Sequence, residues 1–99
     1  RNNVSFSNKE DAVDRYLIIS PHTPEDCKKA LHEVTAMGYI THFDWGCKDG
    51  EHIGWAIIEA DNLKEALLVV PSLLRGIAKA VKLTRFSPED IASMDLGSS

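Results

Sequence analysis

Cysteine is scarce in this chain, with two among 99 residues. A disulfide framework of the kind that staples small secreted domains is excluded, because two thiols supply one bridge at most. Long apolar runs are missing as well. The longest, Ala66-Leu67-Leu68-Val69-Val70, is stopped by Pro71 and falls far short of the roughly 20 residues of a membrane span. Basic charge is in deficit: 11 Lys and Arg against 15 Asp and Glu leave a net charge of -4. A protein that grips nucleic acid electrostatically needs the opposite balance. No glycine-rich phosphate loop occurs, no Cys-x-x-Cys loop follows the first apolar run, and no RNA-recognition aromatic pattern is present. These absences argue against nucleotide-binding, metallochaperone and RNA-binding versions of a small domain.

What remains is an ordinary globular composition, 43% apolar and 26% charged. Ninety-nine residues suffice for one domain with one core. Residues 1–10 and 95–99 are rich in Asn, Ser and Gly and read as tails, which leaves a single domain over 11–94. The chain starts at Arg1 rather than at a methionine, so export stays open, with the cytoplasm as the default compartment.

The order of elements is legible. Arg15-Tyr16-Leu17-Ile18-Ile19-Ser20 is a short continuous apolar run, the pattern of a strand covered on both faces. Thr23-Pro24-Glu25-Asp26 opens a helix, with Thr23 at the N-cap and Pro24 at its first position. Cys27, Ala30, Leu31, Val34 and Met37 then recur at helical spacing, and Gly38 is placed to end the helix. Residues 39–47 and 52–59 are two β-rich runs around Asp49-Gly50, a strong short-range hairpin signal. Asp61 is expected to cap a second helix carrying Leu63, Ala66, Leu67 and Val70 up to Pro71. Residues 77–86 read as a strand. Ser87-Pro88-Glu89-Asp90 repeats the capping signal and begins a short terminal helix.

A two-residue turn at Asp49-Gly50 sets Cys47 opposite His52, Trp45 opposite Gly54, Asp44 opposite Trp55 and His42 opposite Ile57. Period-2 geometry then puts Phe43, Trp45, Ala56 and Ile58 on one face of the hairpin and His42, Asp44, Trp55 and Ile57 on the other. The first set is core. The second mixes an imidazole and a carboxylate with an indole and an aliphatic chain, the balance of a ligand pocket. On this reading His42 and Asp44 are the candidate catalytic pair and Trp55 and Ile57 the candidate ligand contacts. The plain rival is a solvated edge strand.

The order β-α-β-β-α-β is that of the ferredoxin-like α+β fold. Right-handed crossovers give a four-stranded antiparallel sheet of order 4-1-3-2, with the helices on one face and a short C-terminal helix added. The first strand and the run Trp55 to Ile58 are apolar on both sides, so the helix-free face needs a cover. His22, Cys27, Cys47 and His52 fall at one end of this sheet, within about 12 Å for the two thiols. Their types suit zinc or copper, but their spacings match no standard finger. A disulfide, a shared metal and separate structural roles are the alternatives. Separate roles, with no bound metal and no cofactor, are the expectation.

The same element order, the two-sided apolar central strands and the ending Val81-Lys82-Leu83-Thr84-Arg85-Phe86-Ser87-Pro88-Glu89-Asp90-Ile91 resemble the dimeric α/β-barrel superfamily, which includes antibiotic-biosynthesis-type monooxygenases. The resemblance implies a homodimer joined through its sheet faces. It also implies a pocket on the helix-free face for a small apolar or aromatic molecule, bound or transformed without a cofactor. The alternative is a non-catalytic regulatory or structural dimerisation module. Neither nucleic acid nor membrane is an expected partner.

Overall fold

The computed structural model describes residues 13–94; the expected tails, and the first two residues of the expected domain, lie outside the described residues. Four strands carry the fold: β1 (Asp14–Pro21), β2 (Phe43–Trp45), β3 (Ile53–Ala60) and β4 (Lys79–Lys82). They form one antiparallel sheet of order β2-β3-β1-β4, which is 4-1-3-2 counted from the opposite edge. The helices are α1 (Cys27–Met37), α2 (Leu63–Ala66), α3 (Ser72–Arg75) and α4 (Pro88–Ala92). The result is a small α+β domain compatible with a ferredoxin-like arrangement.

Alternation decides the two faces of the sheet. Tyr16, Ile18 and Ser20 of β1, Phe43 of β2 and Ala56 of β3 are buried toward the helices. Ala30 and Val34 of α1 meet them, with Ala66, Val69, Val70 and Leu74 from the second helical region. Ile18, Val34 and Val70 are the largest side chains fully removed from water. The opposite face shows two rows across the sheet. One is Val81, Leu17 and Ile57, and the other is Lys79, Ile19, Trp55 and Asp44.

Local chemistry explains where the elements start and stop. The Thr23 hydroxyl accepts from the Asp26 N–H at 3.2 Å, and the first turn, Pro24–Asp26, is a 3-10 turn before α1 proper. Gly38 ends α1 at φ +88, with its N–H donating to the Thr35 carbonyl. Asn62, not Asp61, caps α2: its side-chain oxygen accepts from the Glu65 N–H at 2.8 Å. The helix continues as a 3-10 turn, Leu67–Val69, until Pro71 breaks it, and α3 follows as a separate piece. Arg75 reaches back to the Val70 carbonyl at 2.7 Å and closes this break. Ser87 and Asp90 form a reciprocal capping box at α4. Those bonds hold the exposed Asp90 carboxyl below its ordinary range.

Two strands are shorter than the sequence pattern suggests. Residues 40–42 form a 3-10 turn, so β2 keeps only Phe43–Trp45, and β4 keeps only Lys79–Lys82 of the expected 77–86. The hairpin connection is also longer than two residues. A 3-10 turn, Cys47–Asp49, precedes Gly50 at φ +86, and the Glu51 N–H donates to the Gly46 carbonyl. The register survives, because Asp44 faces Trp55 and Trp45 faces Gly54. The Trp45 ring stacks on Phe43 at a centroid distance of 5.4 Å and covers Gly54, whose missing Cβ would meet it at 2.9 Å. Substituting Gly54→Ala is therefore expected to cost about 1–3 kcal/mol in urea unfolding followed by tryptophan fluorescence.

Candidate metal centre

The β1–β3 ladder does not stop at the ends of its strands. The His22 N–H donates to the His52 carbonyl at 3.0 Å, one step beyond the Pro21–Ile53 pair. The two histidines thus become cross-strand neighbours, and their rings meet edge to face with centroids 5.8 Å apart. On the other side of β3, the hairpin brings Cys47 to the same end of the sheet. The capped turn after β1 sets Cys27 as the first residue of α1. Three separate stretches of chain deliver four side chains to one place.

The geometry is tight. One nitrogen of each histidine and both Sγ atoms lie within 4.8 Å of one another. The Cys27 thiol donates to Cys47 Sγ at 3.1 Å, and His22 Nε2 lies 3.2 Å from the same sulfur. Tetrahedral zinc, with bonds of about 2.3 Å to sulfur and 2.0–2.1 Å to nitrogen, separates its ligand atoms by about 3.3–3.8 Å. Sub-ångström to ångström shifts convert one arrangement into the other. Both thiols are free and half-buried, His22 is buried and His52 half-buried.

Three buried nitrogens around this cluster, His22 Nδ1, His52 Nδ1 and Trp45 Nε1, have no hydrogen-bond partner among the described residues. An imidazole nitrogen without such a partner can ligate a cation, whereas the Trp45 indole N–H is a donor only. Burial, and then the facing His52, push the His22 imidazole below its ordinary value; the Ser20 backbone and Asp26 pull more weakly the other way. The neutral ring is the form that ligates metal. Burial, then the adjacent Cys27 thiol, push the Cys47 thiol up. A metal bound here would displace thiol protons. Solvent reaches the cluster through an open depression of about 320 Å³ lined by Leu31, Phe43, Asp44, Trp45, Cys47 and Lys48.

The four residues meet at the end of the sheet where the sequence placed them, closer together than the expected limit of about 12 Å between the thiols. The spacings contain the signal: His22-x4-Cys27 and Cys47-x4-His52 are mirror-image pairs. The second pair was already placed together by the hairpin. The β1–β3 register puts His22 beside His52.

The sheet-face set lies elsewhere. Asp44, Trp55 and Ile57 occupy the helix-free face, with His42 beside them at the end of the 3-10 turn rather than in a strand. His42 is exposed and its ring stands 5.8 Å from that of Tyr39. Together with Leu17 and Ala56 these residues line an open groove of about 330 Å³. A larger groove of about 590 Å³ opens at the end of the sheet away from the cysteines, between Arg15, Glu59, Glu65 and Leu68. None of the described helices is long and apolar enough to cross a membrane. The chain matches no family model, no curated protein and no solved structure.

In protein stripped of metal, Cys47 should be alkylated by iodoacetamide more slowly in the native than in the urea-unfolded chain at neutral pH. A raised thiol pKa leaves less thiolate, so the gap should narrow as the pH rises through that pKa. Peptide mapping by mass spectrometry reads both rates.

Proposed function

We propose that this chain is a transition-metal-binding domain that holds one zinc(II) ion through His22, Cys27, Cys47 and His52. The reading rests on one observation above all: four ligand atoms of the right chemistry converge within 4.8 Å. Two thiolates and two neutral imidazoles around a divalent ion make a neutral unit, which suits a half-buried place. A monovalent copper ion would leave a net negative charge there. With four protein ligands no position stays open for water or substrate, so the site holds metal rather than acting as a Lewis acid. The ion ties the end of β1, the start of α1 and the β2–β3 loop, which links metal binding to folding.

Cobalt(II) tests the coordination directly. Titration of the reduced chain should saturate at one equivalent with the intense visible bands of tetrahedral cobalt and a thiolate charge-transfer band. Cys47→Ser should lose that spectrum. Weak octahedral bands, or no saturable binding, would overturn the reading. Zinc at a thousandfold excess over its Kd adds about 4 kcal/mol to the native state. For a domain of this size that raises Tm by about 15 °C or more, and a chelator should reverse the shift.

We also infer that the helix-free sheet face pairs with a second copy of the chain, in the manner of the dimeric α/β barrels. The supporting observation is the row Lys79, Ile19, Trp55, Asp44, which runs from a basic edge through an apolar middle to an acidic edge. A two-fold axis parallel to the strands sets Lys79 of one copy over Asp44 of the other. Ile57 and Val81, 55% and 44% exposed, add apolar area. Such a face removes about 600–900 Å² per subunit, the range of specific interfaces. The groove beside His42, Asp44, Trp55 and Ile57 then becomes an enclosed pocket for a small apolar or aromatic molecule. Light scattering at micromolar concentration should give the dimer mass, and Ile57→Asp the monomer mass. A monomeric wild-type chain would sink this second reading. In a thermal-shift screen of aromatic acids, His42→Ala should lose the ligand's effect while its own Tm stays close to wild type.

A further inference from the structure

The sulfurs of Cys27 and Cys47 stand between two bonding distances. At 3.1 Å they are about 1 Å too far apart for a disulfide and about 0.7 Å too close for two thiolates on one tetrahedral ion. Neither thiol is engaged in a covalent bond. The chain has no other cysteine, so oxidation within one molecule has a single disulfide product. Both cysteines sit at the starts of their elements. Cys47 opens the 3-10 turn Cys47–Asp49. Cys27 is the half-buried first residue of α1. The depression lined by Leu31, Trp45 and Lys48 ends at Cys47 and admits small solutes.

We propose that the Cys27–Cys47 pair is a reversible redox gate on the metal site: oxidation to the disulfide expels the ion, and reduction restores the site. This rests on the zinc-binding reading. The two occupants compete for the same electrons, because a sulfur lone pair that holds zinc is the nucleophile that an oxidant attacks. The oxidant class is a hydroperoxide. One thiolate attacks the outer peroxide oxygen, the O–O bond breaks, and the protein carries a sulfenic acid while the alcohol or water leaves. The second thiolate attacks the sulfenic sulfur, the S–O bond breaks, and water leaves. Per ion released, two thiolates lose two electrons, the hydroperoxide gains them, and two protons are consumed. With both sulfurs gone, His22 and His52 are left as a two-nitrogen remnant that cannot fill a tetrahedral shell. A thiol reductant supplies the two electrons back through a mixed disulfide.

The full-length chain, reduced and loaded with one equivalent of zinc, is treated with stoichiometric hydrogen peroxide. Released zinc is read by a chromophoric chelator and the protein by intact mass and peptide mapping. The expected result is loss of the whole zinc equivalent, a mass lower by two hydrogens relative to the reduced chain, and a Cys27–Cys47 crosslinked peptide. Dithiothreitol should restore zinc binding. Retention of zinc by the crosslinked chain would overturn the gate, as would release accompanied only by oxygen adducts or by disulfide-linked dimers. Zinc-free chain equilibrated in glutathione redox buffers separates the two readings. If the reduced chain binds zinc but forms no intramolecular disulfide across the buffer range, the gate fails and the metal site stands. If the reduced chain binds no metal at all, the zinc-binding reading fails, and the gate with it.

Discussion

The pairing of β1 with β3 is the constraint on which the rest of this molecule depends. Eight consecutive residue pairs, from Asp14–Ala60 to Pro21–Ile53, lock the two central strands in one register. The ladder then extends one further step to His22 and His52. A slip of one residue would exchange the faces of a whole strand, sending Tyr16 and Ile18 to the solvent side. It would also part the two imidazoles. The core and the candidate metal centre are therefore consequences of the same set of backbone hydrogen bonds. This economy suits a chain of this length, whose core alone offers modest stability.

The site has a layered support. The Trp45 ring stacks on Phe43, covers Gly54 and stands 5.9 Å from His22. Glycine is required beneath that ring because any side chain on Gly54 would occupy its place. Gly46 has a similar duty, since a Cβ there would meet the Glu51 carbonyl at 2.8 Å. The tight approach of these two glycines lets a long connection close with the register of a two-residue turn. That closure is what delivers Cys47. Aromatic packing on the helix-facing side thus positions a thiol at the rim.

The two faces of the sheet carry different kinds of chemistry. The covered face ends in the soft-ligand cluster at the His22–His52 end, where burial pushes the His22 imidazole down and the Cys47 thiol up from their ordinary values. The other face is broad and open, apolar in its middle and oppositely charged at its edges. Asp44 borders both the depression at Cys47 and the groove on the open face.

Much of the fold was legible in the chain because the signals involved are local. Thr23-Pro24, Gly38 and Ser87-Pro88-Glu89-Asp90 act through hydrogen bonds and dihedral preferences within a few residues, and each marks a boundary close to where it was expected. Asp61 misled because adjacent Asn62 offers the same kind of side-chain acceptor, and only the backbone direction after β3 selects between them. The short β2 was hidden for a related reason: residues 40–42 alternate as a strand would, yet the turn after α1 winds them into a 3-10 turn. The hairpin alternation sorted Phe43 and Ala56 from Asp44 and Trp55 correctly, since that pattern is intrinsic to extended chain. What the chain determined by itself was the inventory of elements and which side of each strand is apolar. What the tertiary structure decided was how closely His22, Cys27, Cys47 and His52 approach, with their ligand atoms within 4.8 Å of one another. Their spacing couples His22 to Cys27 and Cys47 to His52 but does not join the two pairs, because the distance between His22 and His52 is set by the register of two strands whose pairing is long-range and cooperative.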